Sequence, residues 1–224
     1  MKFQHLVILL IGFTFFASCK NDKTTDATIG SAKTEASKSA NSITYNLKAG
    51  EGKVMWTGSK PAGKHSGFIN VSSGELAIEN NKVTSGSITL DMNSITCTDL
   101  DGDSKANLEA HLKGSKDKGK DDFFNVSQFP NATFVITKIT EIKNDPQSNS
   151  LVYGNLTLKG ATKEIGFKAN ISHDQNGLNV KSNDFSLNRT DWGIKYKSKN
   201  FIEGLKDKFI DDEIVLSIAI SSKN

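Results

Sequence analysis

The sequence predicts an all-β domain of about eight antiparallel strands with one short helix, carried behind an export signal and a polar tether. Three observations carry that expectation. Apolar and polar residues alternate from Ile43 almost to the C-terminus. Gly, Asn and Asp cluster between the alternating runs at hairpin spacing. One segment, "SKANLEAHLKG", instead places apolar residues at helical spacing.

The chain opens with "MKFQHLVILLIGFTFFASCK". Lys2 supplies a positive start, Leu6 to Phe16 form an apolar run, and Ala17 and Ser18 precede Cys19. The run is too short to span a bilayer and has the layout of an export signal. "FASC" resembles a bacterial lipobox, which implies cleavage before Cys19 and acylation of that residue; the alternative is an ordinary signal peptide with an incidental cysteine. Two or more acyl chains anchor stably where one is marginal. Residues 1–18 are therefore expected as a lipoprotein signal peptide and 19–41 as a lipidated cysteine with a flexible tether. Residues 42–224 are expected as the folded domain. From Lys20 to Asn41 the only large apolar residue is Ile29, and such a segment cannot offset its ordering entropy. As a coil its r.m.s. reach would be roughly 25 Å.

The strands follow in order. Ile43, Tyr45 and Leu47 share one face, as do Ile88, Leu90 and Met92. Val152, Leu156 and Leu158 align with Gly154 between them. Ile165, Phe167, Ala169 and Ile171 align, then Phe185 and Leu187, then Ile214, Leu216, Ile218 and Ile220. Each set is a half-buried strand with one face to a core and one to water. "NN" at 80–81, "NDPQSN" at 144–149, "KGATK" at 159–163 and "HDQNG" at 173–177 are turn chemistries. In the helix, Ala106, Leu108, Ala110 and Leu112 supply the apolar side, with Asp103 or Ser104 as its cap. So many sequential antiparallel strands make a sandwich or a closed barrel. Two long strands broken by Gly or by Ser-Asn, "HSGFINVSSGELAIEN" and "NGLNVKSNDFSLNRT", favour the barrel, because such breaks suit the bulges that close one.

Charge and motifs exclude several functions. With 28 basic and 25 acidic residues the net charge is +3, and no basic stripe marks a nucleic-acid footprint. Cys19 and Cys97 are the two cysteines. If Cys19 is lipidated, Cys97 has no partner and reads as a small buried residue. No Walker or G-x-S-x-G pattern occurs. "DLDGDSKANLEA" fails as an EF-hand: Ser104 stands where the loop needs Gly, and Glu109 comes one residue early. His5 leaves with the signal and His173 reads as a solvated turn residue. His65 and His111 have no metal-ligand spacing and read as rim hydrogen-bond donors. No metal or cofactor is expected.

Six motifs carry a resemblance. "HSGFINVSSGEL" (65–76), "GSITLDMNSIT" (86–96), "LEAHL" (108–112), "DDFFNVSQFPNATFVIT" (121–137), "GNLTLKGATKEI" (154–165) and "LNRTDWGI" (187–194) occur in the order found in YceI-like proteins, over about residues 43 to 222. The resemblance implies an eight-stranded antiparallel lipocalin-like barrel holding a long isoprenoid-type lipid. Phe123 and Phe124 would close its helix side, Asp122 would fix the turn, and Pro130 would start the next strand. The chain departs from the pattern at "GSKDKGK", a longer connection than usual, and at Asn125, where the pattern has Asp.

The candidate lining of that interior is Trp56, Ile88, Leu90, Phe134, Ile136, Leu156, Leu158, Phe167, Phe185, Leu187, Leu216 and Ile218. Alternation shows an apolar interior, which either a packed core or a cavity satisfies. At about 0.8 kcal/mol per buried CH₂, a few isoprene units would give micromolar binding after association costs. His65, His111, Arg189 and Trp192 are the candidate rim or head-group residues. Arg189 is the only arginine in the chain and suits phosphate by its fork geometry; the alternative is a structural pair with a nearby carboxylate. The expected function is non-enzymatic lipid carriage or sequestration by a membrane-anchored envelope lipoprotein. The competing expectation is an envelope interaction module with a packed barrel, acting through its loops. An enzyme using His65 or His111 is the remaining reading.

Overall fold

Two-residue turns with left-handed backbone make two of the hairpins. Asn80 and Asn81 (φ 51° and 60°) join two long strands, and Lys159 with Gly160 (φ 49° and 77°) joins two more. A double left-handed turn matches the strand twist, and asparagine and glycine tolerate it best. The computed structural model describes residues 24–116 and 119–223. The expected signal peptide, residues 1–18, and Cys19 lie outside the described residues.

The described residues form twelve strands: β1 (Thr25–Asp26), β2 (Thr28–Ser31), β3 (Ile43–Leu47), β4 (Gly52–Lys60), β5 (Gly63–Glu79), β6 (Lys82–Cys97), β7 (Asn131–Glu141), β8 (Ser150–Leu158), β9 (Ala161–Asp174), β10 (Gly177–Ser182), β11 (Phe185–Asn188) and β12 (Glu213–Ser222). Among the described residues α1 (Gly102–Lys113) is the one α-helix. Antiparallel pairing runs β4–β5–β6–β7–β8–β9–β10–β12 and returns from β12 to β4, closing an eight-stranded barrel. β3 continues the β4 wall along β5, and β11 continues β10 along β12. Three register shifts between β5 and β6 bend the longest strands around the corner.

The expected flexible tether is different in the structure. β1 pairs in parallel with β11, and β2 pairs antiparallel with residues 163–166 of β9. These two strands fill the seam where β9 and β11 do not pair with each other. Ala27 and Ile29 pack inward against the cluster of Phe167, Phe185 and Leu187. The segment then crosses β8 and β7. Lys33 exchanges two hydrogen bonds with the Asn155 side chain, and the Ala36 N–H donates to the Ile136 carbonyl. Backbone pairing and one isoleucine thus order a stretch whose composition reads as linker.

Apolar clusters divide the interior. Leu47, Leu76, Ile78, Val83, Ile136, Leu178 and Ile220 pack solidly at the end away from the helix. Phe167 stacks on Phe185 with ring centroids 4.7 Å apart, flanked by Leu187 and Trp192. Ile69, Met92, Ile95, Val126 and Ala132 form a third cluster at the helix end. The buried members of all three clusters fall between Leu47 and Ile220, so the core is drawn from the barrel and its loops.

Candidate functional site

The helix end of the barrel holds a cavity of about 340 Å³. Trp56, Leu90, Met92, Leu156, Leu158, Ile214 and Leu216 form its walls from four barrel strands. Leu108 and Leu112 on α1, together with Phe123 and Phe124, roof it. Lys60, Lys197, Lys208 and Tyr196 stand at its edge. A broader, more open depression of about 1040 Å³ mixes polar groups such as Asn170, Ser172, Asn179, Lys181 and Ser221 with Met55, Val180 and Ile220.

The roof is built locally. Helix α1 starts at Gly102, two residues before the expected stretch, and Asp101 is its N-cap without a side-chain hydrogen bond; neither Asp103 nor Ser104 caps it. Gly114 ends it in the left-handed conformation (φ 69°) and returns hydrogen bonds to the last turn. Leu108, Ala110 and Leu112 are half-buried, whereas Ala106 is exposed. His111 Nε2 lies 2.8 Å from Asp122 Oδ2, and its ring packs edge-on against both Phe123 and Tyr196. The acid and the two phenylalanines of "DDFF" thus work together: Asp122 holds the helix end, and the rings cover the cavity. Asn125, buried at φ 45°, donates to Asp121 and Gln128 and accepts from Ser127. β7 begins directly after Pro130, as expected.

Below the helix, Asp99 gathers three donors: the Ser66 N–H at 2.7 Å, His65 Nδ1 at 2.9 Å and the Cys97 thiol at 3.2 Å. These bonds, the backbone one first, hold its carboxyl down at about 2. Facing that carboxylate, His65 Nδ1 carries the proton. Cys97 is fully buried and burial pushes its thiol up, so it packs as the sequence predicts. Among the described residues no three His, Cys, Asp or Glu side chains converge as a metal site.

The structure sorts the predicted lining. Trp56, Leu90, Leu156, Leu158 and Leu216 border the cavity. Ile88, Phe134, Ile136, Phe167, Phe185, Leu187 and Ile218 are packed in the two solid clusters instead. Phe134 shows why: its ring occupies the space a side chain at Gly154 would fill, 2.3 Å from where a Cβ would stand. Ile69, Met92, Ile95, Ala132, Ile194 and Ile210 also line the void and escaped the sequence reading. Met92 was legible as inward-facing; the loop residues carried no periodic signal.

The rim candidates separate too. His65 and His111 lie on the cavity wall. Arg189 borders it, but its guanidinium donates to the carbonyls of Asp211, Ile194 and Ile210 and pairs with Asp212 at 3.3 Å. It is 3% exposed, and those bonds make it the pin of the 194–212 loop, the structural alternative. Trp192 is away from the rim, buried beside Leu187 with its Nε1 donating to the Leu156 carbonyl at 3.2 Å. His173, expected in a solvated turn, ends β9 half-buried and edge-on to Tyr45. The Trp56 Nε1, on the cavity wall, is buried and has no hydrogen-bond partner among the described residues.

A closed antiparallel barrel with a helix-roofed apolar cavity is the architecture of a small-ligand-binding barrel. The YceI-like domain profile matches residues 45–222, and the chain belongs to that family. UPF0312 proteins of Shewanella sp. strain W3-18-1 and Shewanella putrefaciens strain CN-32 are each 28% identical over 103 residues, covering 46% of this chain and 47% of theirs. The chain thus aligns with about half the length of these relatives. Two solved structures share the fold. BcnA of Burkholderia cenocepacia has a TM-score of 0.52 at 17% identity, over 75% of this chain and 94% of its own. A polyisoprenoid binding domain from Saccharophagus degradans, implicated in plant cell wall breakdown, has 0.51 at 12%, over 79% and 98%.

Proposed function

We propose that this chain is an exported, lipid-anchored envelope protein that holds the tail of a long isoprenoid-type lipid in its barrel, without catalysing a reaction on it. The roofed apolar cavity carries the reading. Its volume falls within the range of about 300–1,000 Å³ typical of small-molecule sites. Family membership and the likeness to a polyisoprenoid binding domain support the choice of ligand. The Trp56 indole N–H gives a bound lipid one donor to meet. "FASC" supports acylation at Cys19 and hence the anchor.

The test is mass spectrometry of an organic extract from purified residues 24–224. A stoichiometric isoprenoid, lost in Leu90→Trp, is the expected result. An empty extract that stays empty after incubation with a polyprenyl lipid would overturn the reading and favour a filled barrel working through its loops. Cys19→Ser should abolish metabolic labelling of the full chain with a fatty-acid probe; a label that persists sinks the anchor.

A further inference from the structure

We propose that the loop from Lys195 to Phe209 is a docking surface for an anionic phospholipid bilayer, presenting the barrel mouth to the membrane. The inference goes beyond lipid binding in the cavity and stands on the loop's own chemistry. Among the described residues three large apolar side chains are exposed, and two of them, Phe201 (52%) and Ile202 (40%), are neighbours on this loop. Paired exposed apolar residues at a loop mark an interaction site. Five lysines, at 195, 197, 199, 206 and 208, share the loop with two acids, Glu203 and Asp207.

The cations and rings are interleaved. Lys195 Nζ lies 4.4 Å from the Phe201 ring centroid, and Lys199 Nζ lies 5.0 Å from that of Phe209. In a bilayer the rings would enter the acyl boundary while the ammonium groups reach the headgroups. A protein partner would more commonly meet a lysine-poor patch, since lysine is depleted at protein interfaces. The charge pattern therefore points to an anionic bilayer.

The platform is rigid. Ser198 is fully buried, its hydroxyl donates to Asp212 Oδ2 at 2.8 Å, and its carbonyl accepts the N–H groups of Phe201 and Ile202. Asn200 donates to the same carboxylate oxygen at 2.6 Å. Asp212 is in turn held by Arg189. The Asp211 N–H bonds the Ser59 carbonyl at 2.9 Å, which fixes the loop beside the β4–β5 turn. Lys60, Lys197 and Lys208 border the cavity itself, so the surface that meets lipid is continuous with the opening.

Residues 24–224, which lack the anchor, are sedimented with vesicles of phosphatidylcholine alone and of equal parts phosphatidylcholine and phosphatidylglycerol, at low and high salt. Binding to the anionic vesicles alone, weakened by salt, is expected. The double variant Phe201→Asp, Ile202→Asp should bind at least about tenfold more weakly. Reversing one exposed lysine, Lys199→Glu, should cost about fivefold or more. Circular dichroism checks that each variant folds. Absence of vesicle binding by the wild type, or a double variant that binds equally well, overturns the proposal. So does a dimer, seen without vesicles, that the double variant dissolves, because the loop would then be a self-interface. Extracting the same samples for bound lipid separates the two readings: an empty cavity with intact vesicle binding sinks the cavity ligand alone.

Discussion

At the scale of single residues, contacts at Gly67, Asp99 and Glu213 make definite predictions. A Cβ at Gly67 would stand 1.8 Å from the Thr96 carbonyl and 2.6 Å from the Trp56 ring. Gly67→Ala is therefore expected to destabilise by at least about 1–3 kcal/mol, and near-ultraviolet circular dichroism should report a displaced Trp56. Asp99 sits below its ordinary value, at about 2, so its contribution is present above the ordinary carboxylate range. It is lost as pH falls from about 4 through 2. Asp99→Asn should flatten that part of an acid-unfolding curve, and an unchanged curve would refute the assignment. Glu213 is the opposite case. Burial, then Asp26, Asp191 and Asp212, push its carboxyl up. A raised carboxyl costs stability once pH exceeds its ordinary value, so Glu213→Gln should raise the melting temperature at pH 7 and leave it nearly unchanged in acid.

Among the elements, the N-terminal pair β1–β2 departs furthest from expectation. Ile29 is its apolar anchor, packed on the same cluster as Phe167 and Phe185. Ile29→Asp should cost about 1.5–3 kcal/mol and speed hydrogen exchange in residues 163–166 of β9, with exchange on β5 and β6 unaffected. The reason the pair escaped the sequence reading is physical. β1 and β2 join partners well over a hundred residues away through backbone bonds, which leave no pattern in side-chain type. The β5–β6 and β8–β9 hairpins were legible because alternation and turn chemistry are local: Asn80-Asn81 and Lys159-Gly160 announce themselves. The helix was legible to within two residues. Its cap was not, because Asp101 holds the position without a side-chain bond.

For the whole molecule, the barrel divides into a packed half and an open one. That division could not be read from alternation, which assigns Phe134 and Leu156 to the same inner face. Only the three-dimensional fit shows Phe134 filling the space beside Gly154 while Leu156 borders the void. The loop from 194 to 212 likewise has no period; its pin, Arg189, stands out in the sequence as the only arginine, but its acceptors are brought to it by the fold. Arg189→Lys should cost at least about 1–3 kcal/mol, because one ammonium cannot replace a planar fork that serves three carbonyls and so leaves buried acceptors unpaired. Limited proteolysis should then cut within 195–209 first. The seam strands also change how the molecule is held. If Cys19 carries the proposed acyl chains, it stands five residues before Thr24, so at most about 18 Å of chain separates the two whatever its conformation. The barrel is then on a short leash, and its effective concentration at the bilayer is correspondingly high. A mouth loop with only weak intrinsic affinity would spend most of its time in contact, and lengthening the leash with a flexible insert before Thr24 would dilute it.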